Sequence, residues 1–474
     1  MDHMKSSNFG RKIPYTMIVT FFYLLFSAFV ICQPIPPSDP VYFYHYQEFR
    51  KSPNLDVFIA PYPLMASALP ISRFLIDKKN TVFRLAPNLR LSNHRPDFRV
   101  GAWLAGEWDN ISLLAEPVIV NKFYASETIG RAYERGDISG RFSNAFIRYK
   151  MENSILQLGR APVWWGQSFS SSIIQSGAAQ PYDHIDIKIN FSNFQFDLLA
   201  GQLTSDTTAT GERVKRFISG HQLKWLPSHK RWFLAIGEQV IYTGVKRSFE
   251  FHYLNPIVPY WFAEIEEEEE RNPIGTENEN TILFFHGRYI IRENMSMYGE
   301  LVIDDFQIDF FRRDSVPDAI GWKIGFDGSR KVFGRDMLFL FEFTTIGTWT
   351  YTHWGEFTSW HNSNIPIGYK YGPDCRSWLL AFDYWMNDNW LLSLEHTYLQ
   401  KGNVTILTPL APELDRKVDF PSPPVTDHHV IDESFIWHTK LGFIAGGWAG
   451  DLREMDNGSV YIKLQLINNI SFNL

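Results

Sequence analysis

The sequence predicts an all-β protein, a large transmembrane antiparallel up-and-down β-barrel with a short N-terminal periplasmic segment. Three observations carry this. The first is the final stretch. Val460, Ile462, Leu464, Leu466, Ile470, Phe472 and Leu474 share one parity, and Tyr461, Lys463, Gln465, Asn469, Ser471 and Asn473 share the other. Side chains alternate faces along a strand, so one face is apolar and the other mostly polar. A closed barrel has a use for such a terminal strand, because its last strand must pair with its first. The second is an aromatic content of 16%, enough to supply girdles at both membrane interfaces. The third is that amphipathic runs of about ten residues recur from Thr81 onward, separated by turn residues.

The elements follow in order. Residues 1–33 have the form of a signal peptide. Lys5, Arg11 and Lys12 make a positive start, and Met17 to Ile31 is an uncharged apolar run. That run is shorter than the ~20 residues a spanning helix needs. Val30 and Cys32 suit cleavage near Gln33. A lipoprotein signal is the competing reading, since Cys32 follows the apolar run, but Phe29-Val30-Ile31 is bulkier than lipid attachment favours. No other stretch approaches eighteen consecutive apolar residues, which excludes an inner-membrane helical bundle. Residues 34–80, opening with Pro34, Pro36, Pro37 and Pro40, read as a periplasmic segment with one or two short helices. Residues 81–474 form the barrel.

The clearest hairpin is His184-Ile185-Asp186-Ile187-Lys188-Ile189-Asn190-Phe191, followed across Ser192-Asn193 by Asn193-Phe194-Gln195-Phe196-Asp197-Leu198 with inverted parity. Similar runs lie near 82–92, 98–108, 111–120, 141–151, 154–160, 216–226, 231–242, 281–291, 295–305, 319–327, 336–345, 377–386, 389–399, 435–448 and 459–474, seventeen strands in all with those of the hairpin. Long loops fall at 161–183, 244–280, 346–374 and 400–433, as expected where one barrel end has tight turns and the other long loops. A soluble sandwich or propeller fits less well. No blade-length repeat is visible, and a sandwich of this size would contain wholly apolar central strands.

A formal net charge of −7 argues against a nucleic-acid partner, which needs a basic surface. Cleavage near Gln33 leaves Cys375 as the last cysteine, so no intrachain disulfide is expected, and Cys375 reads as a small strand-end residue. Glu264 and Glu266 to Glu270 read either as a solvated acidic loop or as a divalent-cation site bridging anionic heads. No His-Glu-x-x-His spacing is present, and neither metal nor cofactor is expected. An outer-membrane phospholipase would need a serine beside a histidine. His428 and His429 lie near Asp427 and Ser422, and His396 follows Glu395, but no serine carries a companion motif, so an enzyme is not expected.

Gly159-Arg160-Ala161-Pro162-Val163-Trp164-Trp165-Gly166 leaves a strand and enters a loop. Its Trp pair offers a rigid aromatic surface, and Arg160 can hold a carboxylate or phosphate with two parallel bonds. Equally, the Trp pair can be girdle or loop packing and Arg160 can face a lumen carboxylate. Here the chain resembles the Wzi-type capsule-assembly family. The likeness continues through Phe169-Ser170-Ser171-Ser172-Ile173-Ile174-Gln175-Ser176 and Tyr253-Leu254-Asn255-Pro256. It extends to Glu300-Leu301-Val302-Ile303-Asp304-Asp305-Phe306-Gln307 and Pro366-Ile367-Gly368-Tyr369-Lys370-Tyr371-Gly372-Pro373-Asp374. The order and spacing of these motifs, from about 150 to 390, are more specific than any one alone. The resemblance implies a monomeric outer-membrane barrel of about eighteen strands preceded by periplasmic helices. It also implies a lectin that attaches capsular or other surface polysaccharide to the cell. The candidate polysaccharide-binding residues are Arg160, Trp164, Trp165, Tyr182, Asp304, Asp305, Tyr369 and Asp374.

Adjacent Asp304 and Asp305 point to opposite faces of a strand. One can line the lumen, and the other must lie beyond the hydrocarbon band. The alternative role for the pair is a strand terminator bonded to Arg312 or Arg313. Expected partners are surface polysaccharide, outer-membrane lipid, lipopolysaccharide and the barrel-insertion machinery. The competing function is a porin-like diffusion channel for small solutes, its pore lined by Asp186, Lys188, Asp197, Glu300 and Lys463.

Overall fold

The computed structural model describes residues 82–92, 96–108, 110–121, 133–135, 138–227, 231–260, 279–305, 318–353, 355, 357–408, 419–439, 442–452, 459–466 and 468–471. The expected signal peptide, the periplasmic segment, the Glu264–Glu270 run and Arg312 and Arg313 lie outside these residues. The long strands are β1 (Val82–Ser92), β2 (Pro96–Trp108), β3 (Ile111–Asn121), β4 (Ile138–Lys150), β5 (Ser154–Ala161) and β6 (Tyr182–Phe191). They continue with β7 (Phe194–Gln202), β8 (Arg213–Trp225), β9 (Trp232–Gly244), β10 (Glu279–Arg292), β11 (Met295–Asp305) and β12 (Ala319–Val332). The set ends with β13 (Arg335–Ile346), β14 (Cys375–Trp385), β15 (Trp390–Lys401), β16 (Thr426–Thr439), β17 (Gly442–Asp451) and β18, which runs over Ser459–Leu466 and resumes over Asn468–Ser471.

Each strand pairs antiparallel with the next, and β18 pairs with β1, placing Leu89 opposite Leu464 and Phe83 opposite Ile470. The ladder thus returns to its start, which is the job expected of the terminal strand. The β6–β7 hairpin turns at Ser192, whose φ of 53° fits a tight two-residue turn, with Phe191 opposite Phe194. Even-to-odd connections are short, as at 192–193, 293–294 and 333–334. Most odd-to-even connections are long, as at 162–181, 245–278, 347–374 and 402–425.

Burial follows the barrel pattern. In β6, His184, Asp186 and Lys188 are buried, while Ile189 is 42% exposed. Leu158, Leu234, Ile324 and Leu380 are likewise exposed, and Arg148, Gln157, Lys224, Arg288 and Lys323 are buried. A soluble protein reverses this order. Aromatic residues gather at both ends of the outward face. Near the long loops, Trp322, Phe343, Trp378, Tyr398 and His429 form a ring-to-ring series across β12–β16 at 5.1, 5.0, 5.3 and 4.9 Å. Near the short turns, Phe191, Phe194, Trp225 and Trp232 do the same across β6–β9 at 5.8, 6.5 and 4.8 Å. These are the two interfacial girdles.

Two expectations are corrected. The run 435–448 is not one strand but the end of β16 and the start of β17, which makes eighteen long strands among the described residues where seventeen runs were read. The sequence offers no Gly, Pro or Asn between Thr439 and Gly442 to mark the break, and the outward parity shifts from Phe435 and Trp437 to Ile444. The loop expected over 400–433 ends early, because β16 begins at Thr426.

Candidate functional site

The loop 162–181 turns inward from β5 and occupies part of the lumen. Trp164-Trp165 pairs antiparallel with Gln175-Ser176, forming a short ribbon inside the barrel. Trp165 is buried against Phe284, with ring centres 5.7 Å apart. At Gly166, φ is +126°, and an added Cβ would meet Ser172 Oγ at 2.0 Å and Glu300 Oε1 at 2.6 Å, so the turn admits only glycine.

Beyond that turn the loop is held by inward charges. Glu300 on β11 accepts hydrogen bonds from the backbone amides of Gln167, Ser168 and Ile173, the latter two at 2.8 Å, and from Ser172 Oγ at 3.1 Å. Glu342 on β13 accepts from Ser168 Oγ at 2.6 Å, from Ser170 Oγ and from Tyr298 OH. Lys323 Nζ on β12 donates to Glu342 Oε2 at 2.6 Å and to the Ser171 carbonyl at 2.7 Å. Arg288 on β10 pairs with Asp327 at 2.5 Å, donates to the Gln167 carbonyl at 2.7 Å, and lies over the Tyr298 ring at 4.4 Å. Buried charges are tolerable only when paired and bonded in this way. The Ser-rich stretch is therefore a ready set of short donors that satisfies wall carboxylates.

The loop 347–374 packs beside it. Tyr351 N donates to Asp304 Oδ2 at 2.5 Å, and Tyr351 OH donates to the Ile173 carbonyl. Arg216 on β8 donates to the carbonyls of Phe357 and Ser359, each at 2.8 Å. Asn362 Nδ2 donates to the Gln180 carbonyl at 2.8 Å, which locks the two loops together. Asp374 then joins this loop to 402–425. Its carboxylate accepts from Thr348 Oγ1 at 3.1 Å, Val404 N at 3.0 Å, Ser422 N at 2.8 Å and Ser422 Oγ. Gly402 lies so close to Asp374 that a Cβ would meet Oδ2 at 2.1 Å. Burial lowers the His353 imidazole to about 4, and burial beside Arg216 lowers His361 to about 3.

The eight candidate residues do not converge on one pocket. Trp165, Tyr182, Tyr369 and Asp374 are buried and hold loops in place: Tyr182 OH donates to Gln175 Oε1 at 3.1 Å, and Tyr369 OH bonds Ser377 Oγ at 2.6 Å. Asp304 has the inward parity of Glu300 and serves the Tyr351 amide. The Asp305 side chain lies outside the described residues. Trp164 is half-buried. Arg160 shares the outward parity of Leu158, and its partner is not a lumen carboxylate but Asp183 of the neighbouring strand, bonded at 3.1 and 2.6 Å. Of the expected pore lining, Asp186, Lys188 and Asp197 do face inward, with Lys188 Nζ 3.1 Å and Lys224 Nζ 2.7 Å from Asp197.

Sequence reasoning missed Lys323, Glu342 and Arg288. A signal was available for two of them: Lys323 and Glu342 are lone charges flanked by large apolar or aromatic neighbours in an alternating run, Trp322-Lys323-Ile324 and Phe341-Glu342-Phe343, whereas Arg288 follows Gly287 and carries no such mark. On the inward faces of β15 and β16, Glu395 is half-buried and Asp432 is exposed. Lys370 Nζ lies 3.6 Å from Glu395 and 5.1 Å from the Tyr371 ring.

Comparison with known proteins agrees with this architecture. The structure resembles Wzi, an outer-membrane protein involved in group 1 capsule assembly in Escherichia coli and described as a carbohydrate-binding β-barrel. The TM-score is 0.58 with 14% identity, over 83% of this chain and 85% of that one. It also matches the Pseudomonas aeruginosa protein OpdK with vanillate, at a TM-score of 0.47 and 10% identity over 83% of this chain and 98% of that one. A BenF-like porin from Pseudomonas fluorescens matches at a TM-score of 0.45 and 8% identity, over 84% and 100%. Comparison with curated proteins finds no match. The family described as capsule assembly protein Wzi matches residues 104–438, well over half of the sequence. The chain belongs to the Wzi capsule-assembly family of outer-membrane β-barrels.

Proposed function

We propose that this protein holds capsular or other surface polysaccharide at the outer face of the cell by non-covalent binding, as a lectin-like barrel. The observation that carries the reading is the packed loop 162–181, pinned by Glu300, Glu342 and Lys323 where a diffusion channel needs open space. The binding surface is the long-loop end. There Arg160 with Asp183 and half-buried Trp164 offer charge and a flat ring, and the Lys370–Tyr371–Glu395 group, midway along β15 inside the lumen, adds more of the rings and charges that sugars use. Weak contacts repeated along one polymer add through effective concentration. In this reading residues 1–33 are a cleaved signal, 34–80 lie in the periplasm, and the mature barrel is a monomer surrounded by lipid and lipopolysaccharide after insertion by the barrel-insertion machinery.

Exposed Asp432 and half-buried Glu395 favour one second reading, a narrow hydrated passage for small solutes beside the loops. Purified protein separates the two. Co-sedimentation with surface polysaccharide and silence in planar bilayers support the lectin. Large steady currents without polysaccharide binding contradict it.

A further inference from the structure

The lipid-facing wall carries a depression that the polysaccharide reading does not use. It encloses about 940 Å³ on the outside of β8–β12. Its rim is formed by outward side chains, among them Leu234, Ile236, Tyr289, Met297 and Ile324, each at least 44% exposed. Its floor is made by two glycines facing each other across the β10–β11 pair, Gly287 and Gly299. The surrounding fold explains the first of these. A Cβ at Gly287 would meet Leu234 Cδ2 at 2.7 Å and the Phe233 carbonyl at 2.8 Å. It does not explain the second. A Cβ at Gly299 would touch only the Lys323 carbonyl, at an ordinary 3.6 Å, so packing leaves room for a side chain that is missing.

The location fixes the chemistry of the occupant. This face looks into hydrocarbon, and the groove begins at the short-turn end, beside the Trp225–Trp232 girdle pair. Exposed Arg292 ends β10 three residues beyond Tyr289, the partner of Trp232, on the short-turn side of the groove, and a guanidinium there can bond a phosphate. We infer that the groove between β8 and β12 is a binding site for a phospholipid of the periplasmic leaflet, with an acyl chain lying over Gly287 and Gly299 and its phosphate at Arg292.

Filling the floor tests this. Wild-type protein, extracted and purified in mild detergent, carries about one phospholipid per chain by native mass spectrometry and lipid analysis. Gly299→Leu, which occupies the groove without a backbone clash, reduces that occupancy roughly tenfold through the apolar contact it displaces. Leu380→Ala, on the outward face of a strand outside the groove, leaves it unchanged. Heat-modifiable migration confirms folded barrels in each case. If Gly299→Leu does not fold, Ile324→Trp on the groove rim serves instead. Wild-type protein free of lipid would overturn the assignment. So would retention of lipopolysaccharide in place of phospholipid, a dimer joined through this face, or equal phospholipid in wild-type and groove-filled protein.

Discussion

Lys323 Nζ lies 2.6 Å from Glu342 Oε2, diagonally across the β12–β13 pair, and the two side chains are 0% and 2% exposed. The pair also anchors the lumen loop, since Lys323 donates to the Ser171 carbonyl and Glu342 accepts from Ser168. Removing one partner of a buried pair costs about 3–5 kcal/mol because the other charge is stranded. Glu342→Gln therefore lowers the thermal midpoint and loosens the loop. Lys323→Met combined with Glu342→Met costs less than the two single changes added together, and a double-mutant cycle on unfolding measures the difference.

Trp165 plugs the wall niche at Phe284 from inside the lumen. Trp165→Ala deletes a fully packed indole, a change worth about 3–5 kcal/mol in cores. The expected outcome is a barrel that still inserts but whose 162–181 loop is cut by external protease on intact cells, while the wild-type loop resists.

Asp374 joins the loops 347–374 and 402–425 through Thr348, Val404 and Ser422. Asp374→Ala orphans these donors together, and Gly402→Val drives a side chain into the carboxylate. Both variants raise amide exchange in the two loops together, with the strands of β6–β9 unaffected.

The outer loops also carry a pH dependence. His353 and His361 are held neutral, lowered to about 4 and about 3, against an ordinary value near 6.5 in an undocked loop. Between those values the undocked loop binds more protons than the docked one, so docking is fully stable above pH 6.5 and weakens as pH falls toward 4 and then 3. Each histidine contributes on the order of 1 kcal/mol per pH unit within its window. Protease sensitivity of 347–374 rises on acidification, and His353→Gln with His361→Gln flattens the profile.

Strict alternation made most strands legible. His184 to Phe191 reads directly as a wall with Ile out and charge in, and the structure keeps that register. The pattern failed at β16, where Asp432 and Glu433 are adjacent and exposed and no apolar face emerges until Phe435. The site was legible only as motifs. Phe169 to Ser176 was recognisable as a Ser-rich stretch, but the carboxylates its serines serve, Glu300 and Glu342, lie 128 to 172 residues away in sequence, and local spacing says nothing of such pairings. Asp374 was a candidate binding residue only through its place in the Pro366–Asp374 family motif. In the fold, a φ of 56° turns it toward loop amides.

The most direct test of the account is cell-bound against released polysaccharide after deletion of the gene and its restoration. The account predicts that deletion shifts polysaccharide from the cells to the medium and that wild-type protein restores retention. Unchanged retention in the deletion strain would contradict it.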